Sequence, residues 1–170
     1  TVDGIFTSTS NANELLFSFP SAPINFTDLT LDLAAIRNSA QSEGGIYIPF
    51  SNAYGYRLTF NGDGTVTARR VTNTFQYSAQ SSEGTFQERN IIRNQSFYNT
   101  YTIDPACPLI YVDDKVWLEG TLDNKVTLAA AGTDISGGDP DIILQGNITY
   151  NTPGDDGLLA IAEDNVLLGV

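Results

Sequence analysis

The sequence predicts a mainly β fold with one amphipathic helix. An α+β N-terminal part leads into a short C-terminal parallel β-helix, or solenoid. Three observations carry this reading. One stretch, 27–43, has helical periodicity; Gly, Asn and Asp break much of the rest into short apolar runs; and after residue 105 four β-branched-first triplets recur.

The helix is read from Leu29, Leu33, Ile36 and Ala40, which recur at helical spacing, with Leu31 and Ala34 widening the stripe. Thr27 is placed to cap the free N–H groups, and Asp28 and Asp32 lie near the positive end of the helix dipole. Gly44-Gly45 supplies the left-handed stop.

Strands follow. Residues 45–50 form an apolar run, and 54–60 alternate around Tyr56, Leu58 and Phe60. Asn61-Gly62-Asp63-Gly64 is a hairpin signal, read as a type I′ turn before a second strand at 65–72, so a hairpin spans about 54–72. On that strand Val66, Ala68, Arg70 and Thr72 share one face, with Arg69 and Val71 on the other. Residues 73–99 are rich in Ser, Gln and Asn; they hold strands such as 74–78 and 84–89, or else make a long excursion into solvent.

In the C-terminal part the triplets are Val116-Trp117-Leu118, Val126-Thr127-Leu128, Ile142-Ile143-Leu144 and Val166-Leu167-Leu168. Asp, Asn or Lys precedes each one, and Leu118-Glu119-Gly120-Thr121-Leu122 matches Leu144-Gln145-Gly146-Asn147-Ile148. Short strands with polar corners at every rung predict a few solenoid coils with bulging loops at 132–140 and 151–157. A Greek-key β-sandwich is the alternative, since it also offers short strands with turn signals. The last coil would then expose its edge at 158–170, which a further segment, a partner or a symmetry mate is expected to cover.

Charge divides the chain unevenly. Residues 1–104 hold the helix and hairpin as an α+β region, and 105–170 the acidic β-helix-like region, with Pro105 and Pro108 at the seam. Eight acids and six Arg lie before residue 104, against twelve acids and two Lys from there on. With 170 residues the two parts are expected to share one compact unit.

Composition narrows the function. A net charge of −12 and a pI near 4.1 repel phosphate backbones and anionic lipid, so no nucleic-acid partner is expected. The chain has no His, which removes His-based triads and His zinc sites. Its single cysteine, Cys107, forbids an internal disulfide and is read as a free buried thiol. A chain that starts at Thr1 and holds no Met is expected to be a processed or trimmed piece.

Several groups bear on chemistry. Asn61-Gly62-Asp63-Gly64 opens like a calcium loop, but Thr72 stands where the closing Glu belongs, and the turn alone accounts for it. Asp134, Asp139, Asp141 and Asp155-Asp156 are a candidate Ca²⁺ cluster, against solvated corners as the structural reading. Glu119 and Asp141 are the pair that would flank a sugar bond if adjacent coils brought them together. Lys115 and Lys125 sit beside Asp or Asn, as a covalent Lys–Asn link requires, although an ion pair is the simpler outcome. Asn25, Asn94 and Asn147 open sequons, with Asn147 better explained as a corner. Trp117, Tyr98, Tyr101 and Tyr111 suggest either a sugar-stacking platform or core packing. Trp117 is expected to point outward against the helix region, as the joint between the halves. No catalytic residue, metal or cofactor is assigned.

The runs Leu109-Ile110-Tyr111-Val112, Val116–Leu122, Lys125–Ala130, Asp141–Tyr150 and Leu158–Ala162 resemble those of a bacterial pilin-like or pilus-assembly cell-surface family of unknown biochemical role. Ile24-Asn25-Phe26, Gly44-Gly45-Ile46-Tyr47 and Gly55–Thr65 follow in the same order as in that family. The resemblance implies a prepilin-type helix, absent from this chain, ahead of an ectodomain ending in a small β-helix. It further implies an exported, non-catalytic structural domain whose partners are other subunits of a surface assembly. Membrane contact would come only through that upstream helix. The alternatives are a carbohydrate-binding adhesin that takes a surface glycan, and a β-helical polysaccharide lyase or hydrolase.

Overall fold

The computed structural model describes residues 26–81, 84–132 and 140–169. It is mainly β, with one helix, α1 (Phe26–Ser42), and two sheets. The strands are β1 (Ile46–Ile48), β2 (Tyr56–Asn61), β3 (Thr65–Ser81), β4 (Gly84–Thr102), β5 (Leu109–Val112), β6 (Val116–Leu122), β7 (Lys125–Ala130), β8 (Ile142–Tyr150), β9 (Gly157–Ala162) and β10 (Val166–Leu168). Gly44, at φ 92°, provides the left-handed stop after α1.

The chain visits the two sheets in alternation. One sheet has the order β1-β5-β7-β9, all parallel. The other has the order β10-β8-β6-β2-β3-β4, parallel from β10 to β2 and antiparallel through β3 and β4. Each round of the chain therefore lays like residues over like. Ile46, Ile110, Leu128 and Ala160 form one column, and Leu58, Leu118, Leu144 and Leu168 another. Alternate residues of both sheets fill the core between them, from Ile46 and Tyr56 through Val116 and Leu118 to Ile142.

That core crosses the charge seam. β1 and β2, from the N-terminal part, pair with β5 and β6, so Pro105 and Pro108 mark no boundary in the sheets. Asp104, Asp123 and Asp155 are exposed while Asp113, Asp114 and Asp141 are buried, so the charge imbalance says little about which strands share an interior.

The helix lies on the outer face of the first sheet, where Leu33 and Ala40 pack with Tyr111, Ala129 and Ala131. Ala34, expected in the apolar stripe, is exposed. The Thr27 cap, Asp28 and Asp32 lie outside the described side chains.

The polar stretch 73–99 belongs to a two-stranded ribbon. β3 and β4 pair along their lengths from Thr65↔Thr102 to Ser81↔Gly84, with register shifts between Ala68 and Arg69 and again between Val71 and Tyr77. The alternation expected on β3 holds as far as Val71: Val66, Ala68 and Arg70 lie opposite the core-facing Phe60, Leu58 and Tyr56, while Val71 is buried on the other face against Trp117. Arg70 is half-buried beside Tyr98, and Thr72, at the shift between Val71 and Asn73, is exposed.

The turn before the ribbon also departs from expectation. Three residues, Gly62-Asp63-Gly64, connect β2 and β3, with positive φ at both glycines and not at Asp63. This is not the two-residue type I′ turn, because the Asp63 carboxylate closes the loop by accepting from the Thr65 N–H (3.0 Å) and hydroxyl (2.6 Å).

The internal match between β6 and β8 is likewise offset. Leu118 pairs with Leu144, but Gly120 then pairs with Ile148 and Leu122 with Tyr150. Gly120 has φ 109°, and a Cβ there would stand 2.2 Å from the Phe60 carbonyl oxygen. The backbones meet too closely for any other residue.

Candidate functional site

The outer face of the second sheet carries Trp117 and Glu119, two of the residues singled out from the sequence. On β6, Val116 and Leu118 point into the core, so Trp117 between them points out. It meets the ribbon rather than the helix. Trp117, Val71 and Ile143 are buried together, with Ile92 and Leu167 packed against them. The indole Nε1–H donates to the Asn90 carbonyl at 2.6 Å. α1 covers the opposite sheet, so Trp117 joins the two sequence halves through the ribbon and not through the helix.

No aromatic platform forms. Trp117 and Tyr111 are fully buried, and Tyr98 and Tyr101 are half-buried against the core. Tyr98 packs its ring 5.1 Å from that of Tyr56.

Further along the same face Arg57 donates to Glu119 Oε1 at 2.5 Å, and Thr59 also bonds that oxygen. Beyond them the register lines up Thr149, Thr121 and Asn61, while Thr65, bonded to Asn61, pairs with Thr102. Thr121 and Thr149 hydroxyls lie 2.8 Å apart, and Asn61 Nδ2 donates to Thr65 at 2.8 Å. These cross-strand pairs stabilise the sheet and satisfy one another.

Asp141 lies elsewhere, at the corner that precedes β8. Lys115 Nζ sits 2.9 Å from its Oδ2, while the Asn165 N–H and Nδ2 donate to its Oδ1 at 3.2 and 3.3 Å. Register explains the grouping: Val116, Ile142 and Val166 align, so the residues just before them stack. The ammonium of Lys115 is thus held by a carboxylate, not presented to an Asn carboxamide. Asp141 pairs one residue before the position opposite Val116, and Glu119 comes three residues after Val116. Four residues of strand span about 13 Å, more than the roughly 5–9.5 Å that two glycosidic carboxyls need. The structure does not bring Glu119 and Asp141 together.

Other acids bond within or between the loops. Asp156 Oδ2 accepts the Thr152 N–H at 2.7 Å, and Asn151 Nδ2 donates to Asp123 Oδ1 at 3.0 Å and to the Gly62 carbonyl at 2.6 Å. Asp134 and Asp139 lie outside the described residues, as does Asn25. Asn94 and Asn147 are exposed; Cys107 is free and half-buried rather than buried.

Sequence reasoning missed one cluster beneath α1. Arg37 reaches Asp113 Oδ2 at 2.8 Å, and the Tyr47 hydroxyl donates to the same oxygen. The Tyr111 hydroxyl and Asp113 Oδ1 are buried there without a hydrogen-bond partner. Burial, reinforced by the Asp113 charge, pushes the Tyr111 hydroxyl up to about 12. The only signal was Tyr47 and Tyr111 at matching strand positions, which becomes meaningful once β1 pairs with β5.

Comparison with known proteins adds no family. No protein-family model, curated protein or solved structure matches this chain.

Proposed function

We propose that this chain is a non-catalytic structural ectodomain of an exported, pilin-like surface protein, acting through contacts with other protein subunits. In this reading the alternating parallel rounds form a short β-helix, a rigid spacer with the ribbon and helix on its two faces. The observation that carries it is the fate of the polar groups a catalyst would use. Lys115, Asp141 and Asn165 bond one another from round to round, and Arg57 holds Glu119 flat on the sheet. Such columns fix register between rounds, which is what a rigid spacer needs.

The motif resemblance supplies the surface location and the anchor. Among the described residues no helix is long and apolar enough to cross a membrane, so in this reading attachment comes through a helix upstream.

The test is the N-terminal sequence and intact mass of the native protein recovered from cells. A product that extends upstream into an apolar helix with a processed end supports the reading. A native protein that begins near Thr1 and is released without an anchor overturns it.

A further inference from the structure

We propose that the β3–β4 ribbon is a self-association arm that docks on the acidic edge of a second copy of this chain. The inference rests on the structural reading above and names its partner. The ribbon, residues 65–102, holds four of the chain's eight basic residues and two of its twenty acidic ones. It is therefore a basic arm on a strongly acidic body.

Arg69, Arg89 and Arg93 are exposed on it, and Arg70 is half-buried. Among the described residues the ion pairs are Arg37–Asp113, Arg57–Glu119 and Lys115–Asp141, none of which uses a ribbon arginine. Arg89 and Arg93 lie over the rings of Tyr54 and Phe75 instead. Phe75 is 50% exposed and Phe97 62% exposed. Arginine beside an exposed aromatic, with no carboxylate of its own, is the composition of an interface anchor.

The complementary surface is the edge where the chain turns from the second sheet back to the first. The Asn151 bonds to Gly62 and Asp123 tie the β8–β9 turn to the β2–β3 loop and to the β6–β7 turn on this edge. Asp63, Asp104, Asp123 and Asp155 are exposed along the turns, with Asp156 half-buried among them. Hydrogen bonds from Thr65 hold the Asp63 carboxyl below its ordinary range, so it stays charged. One chain thus carries both halves of a charge-complementary contact. A ribbon-to-edge contact joins different patches on the two copies, so it can propagate into a row of subunits.

Sedimentation velocity of the full chain at about 0.01 M and about 1 M salt tests this. Two variants are compared: Arg69→Glu/Arg93→Glu on the ribbon, and Asp123→Lys/Asp155→Lys on the edge. The wild type is expected to associate at low salt and dissociate at high salt. Each variant alone is expected to be monomeric, and an equimolar mixture to form hetero-oligomers, since each then meets an opposite charge. Recovery in the mixture also shows that both variants are folded. A wild type that stays monomeric at low salt overturns the proposal, as does association that the ribbon variant leaves unchanged. Retention of the monomer on an anionic polymer through the same arginines, without self-association, assigns the arm to a different partner and also overturns it. None of these failures touches the native N-terminus, which tests the structural reading separately.

Discussion

Trp117 and Asn90 are 27 positions apart in sequence, yet the indole N–H of one donates to the main-chain carbonyl of the other at 2.6 Å. That bond, with Val71 and Ile143 packed around the ring, fixes the ribbon to the outer face of the second sheet. The root of the ribbon pairs with β2, but a two-stranded ribbon is marginal on its own, so the position of the part beyond Val71 depends strongly on this buried side chain.

Trp117→Ala is therefore expected to cost about 3–5 kcal/mol. Trp117→Phe, which keeps most of the packing and loses the bond to Asn90, should cost about 1–3 kcal/mol. Chemical denaturation gives the magnitudes. Hydrogen exchange should show the loss of protection concentrated at 71–75 and 89–93 in both variants.

Gly120→Ala is expected to destabilise the fold by at least ~1–3 kcal/mol, from the left-handed backbone alone. The close approach to the Phe60 carbonyl adds to this, because backbone cannot yield as a side chain can. Gly154→Ala, also at positive φ but with open space around it, should cost less. Thermal melts of the two variants side by side check the difference.

Lys115→Met leaves the Asp141 carboxylate buried without its cation, and is expected to cost about 3 kcal/mol. Changing both residues, Lys115→Met with Asp141→Asn, should recover part of that loss. A double-mutant cycle by denaturant titration measures the coupling. Additive losses would show that the column does not act as a unit.

Alkaline pH should loosen the helix side of the molecule. Tyr111 ionises near 10 when unfolded and about 12 when folded, since burial disfavours the phenolate. The folded state thus holds the proton more tightly, and this contribution is complete below pH ~10 and lost as pH rises towards ~12. Tyr47, raised by its own burial and its bond to Asp113, acts in the same direction. Phenolate absorbance followed together with circular dichroism should show late-titrating tyrosines appearing as structure is lost.

Much of the fold was legible because its signal is local. Three of the four triplets, beginning at Val116, Ile142 and Val166, stack in one sheet, while Val126-Thr127-Leu128 lies in the other. The helix was equally plain from Leu33, Ile36 and Ala40. The ribbon was not, because its strands are polar on both faces over much of their length and so lack the alternation that marks a strand. Trp117 could be read as outward-facing, but which element it faced depended on how the ribbon folds over the sheet. The Lys115–Asp141–Asn165 column was hidden for another reason. Its members are 24 to 50 positions apart and meet only through the register between rounds.

The role proposed for this chain is that of a structural subunit of a surface assembly. Immunogold electron microscopy of intact cells, with antibody raised to this chain, tests it most directly. Label is expected on the cell exterior, recurring along or at the base of an assembled structure and removed with it by shearing. Label confined to the cell interior, or protein found only as free monomer in the medium, would contradict it.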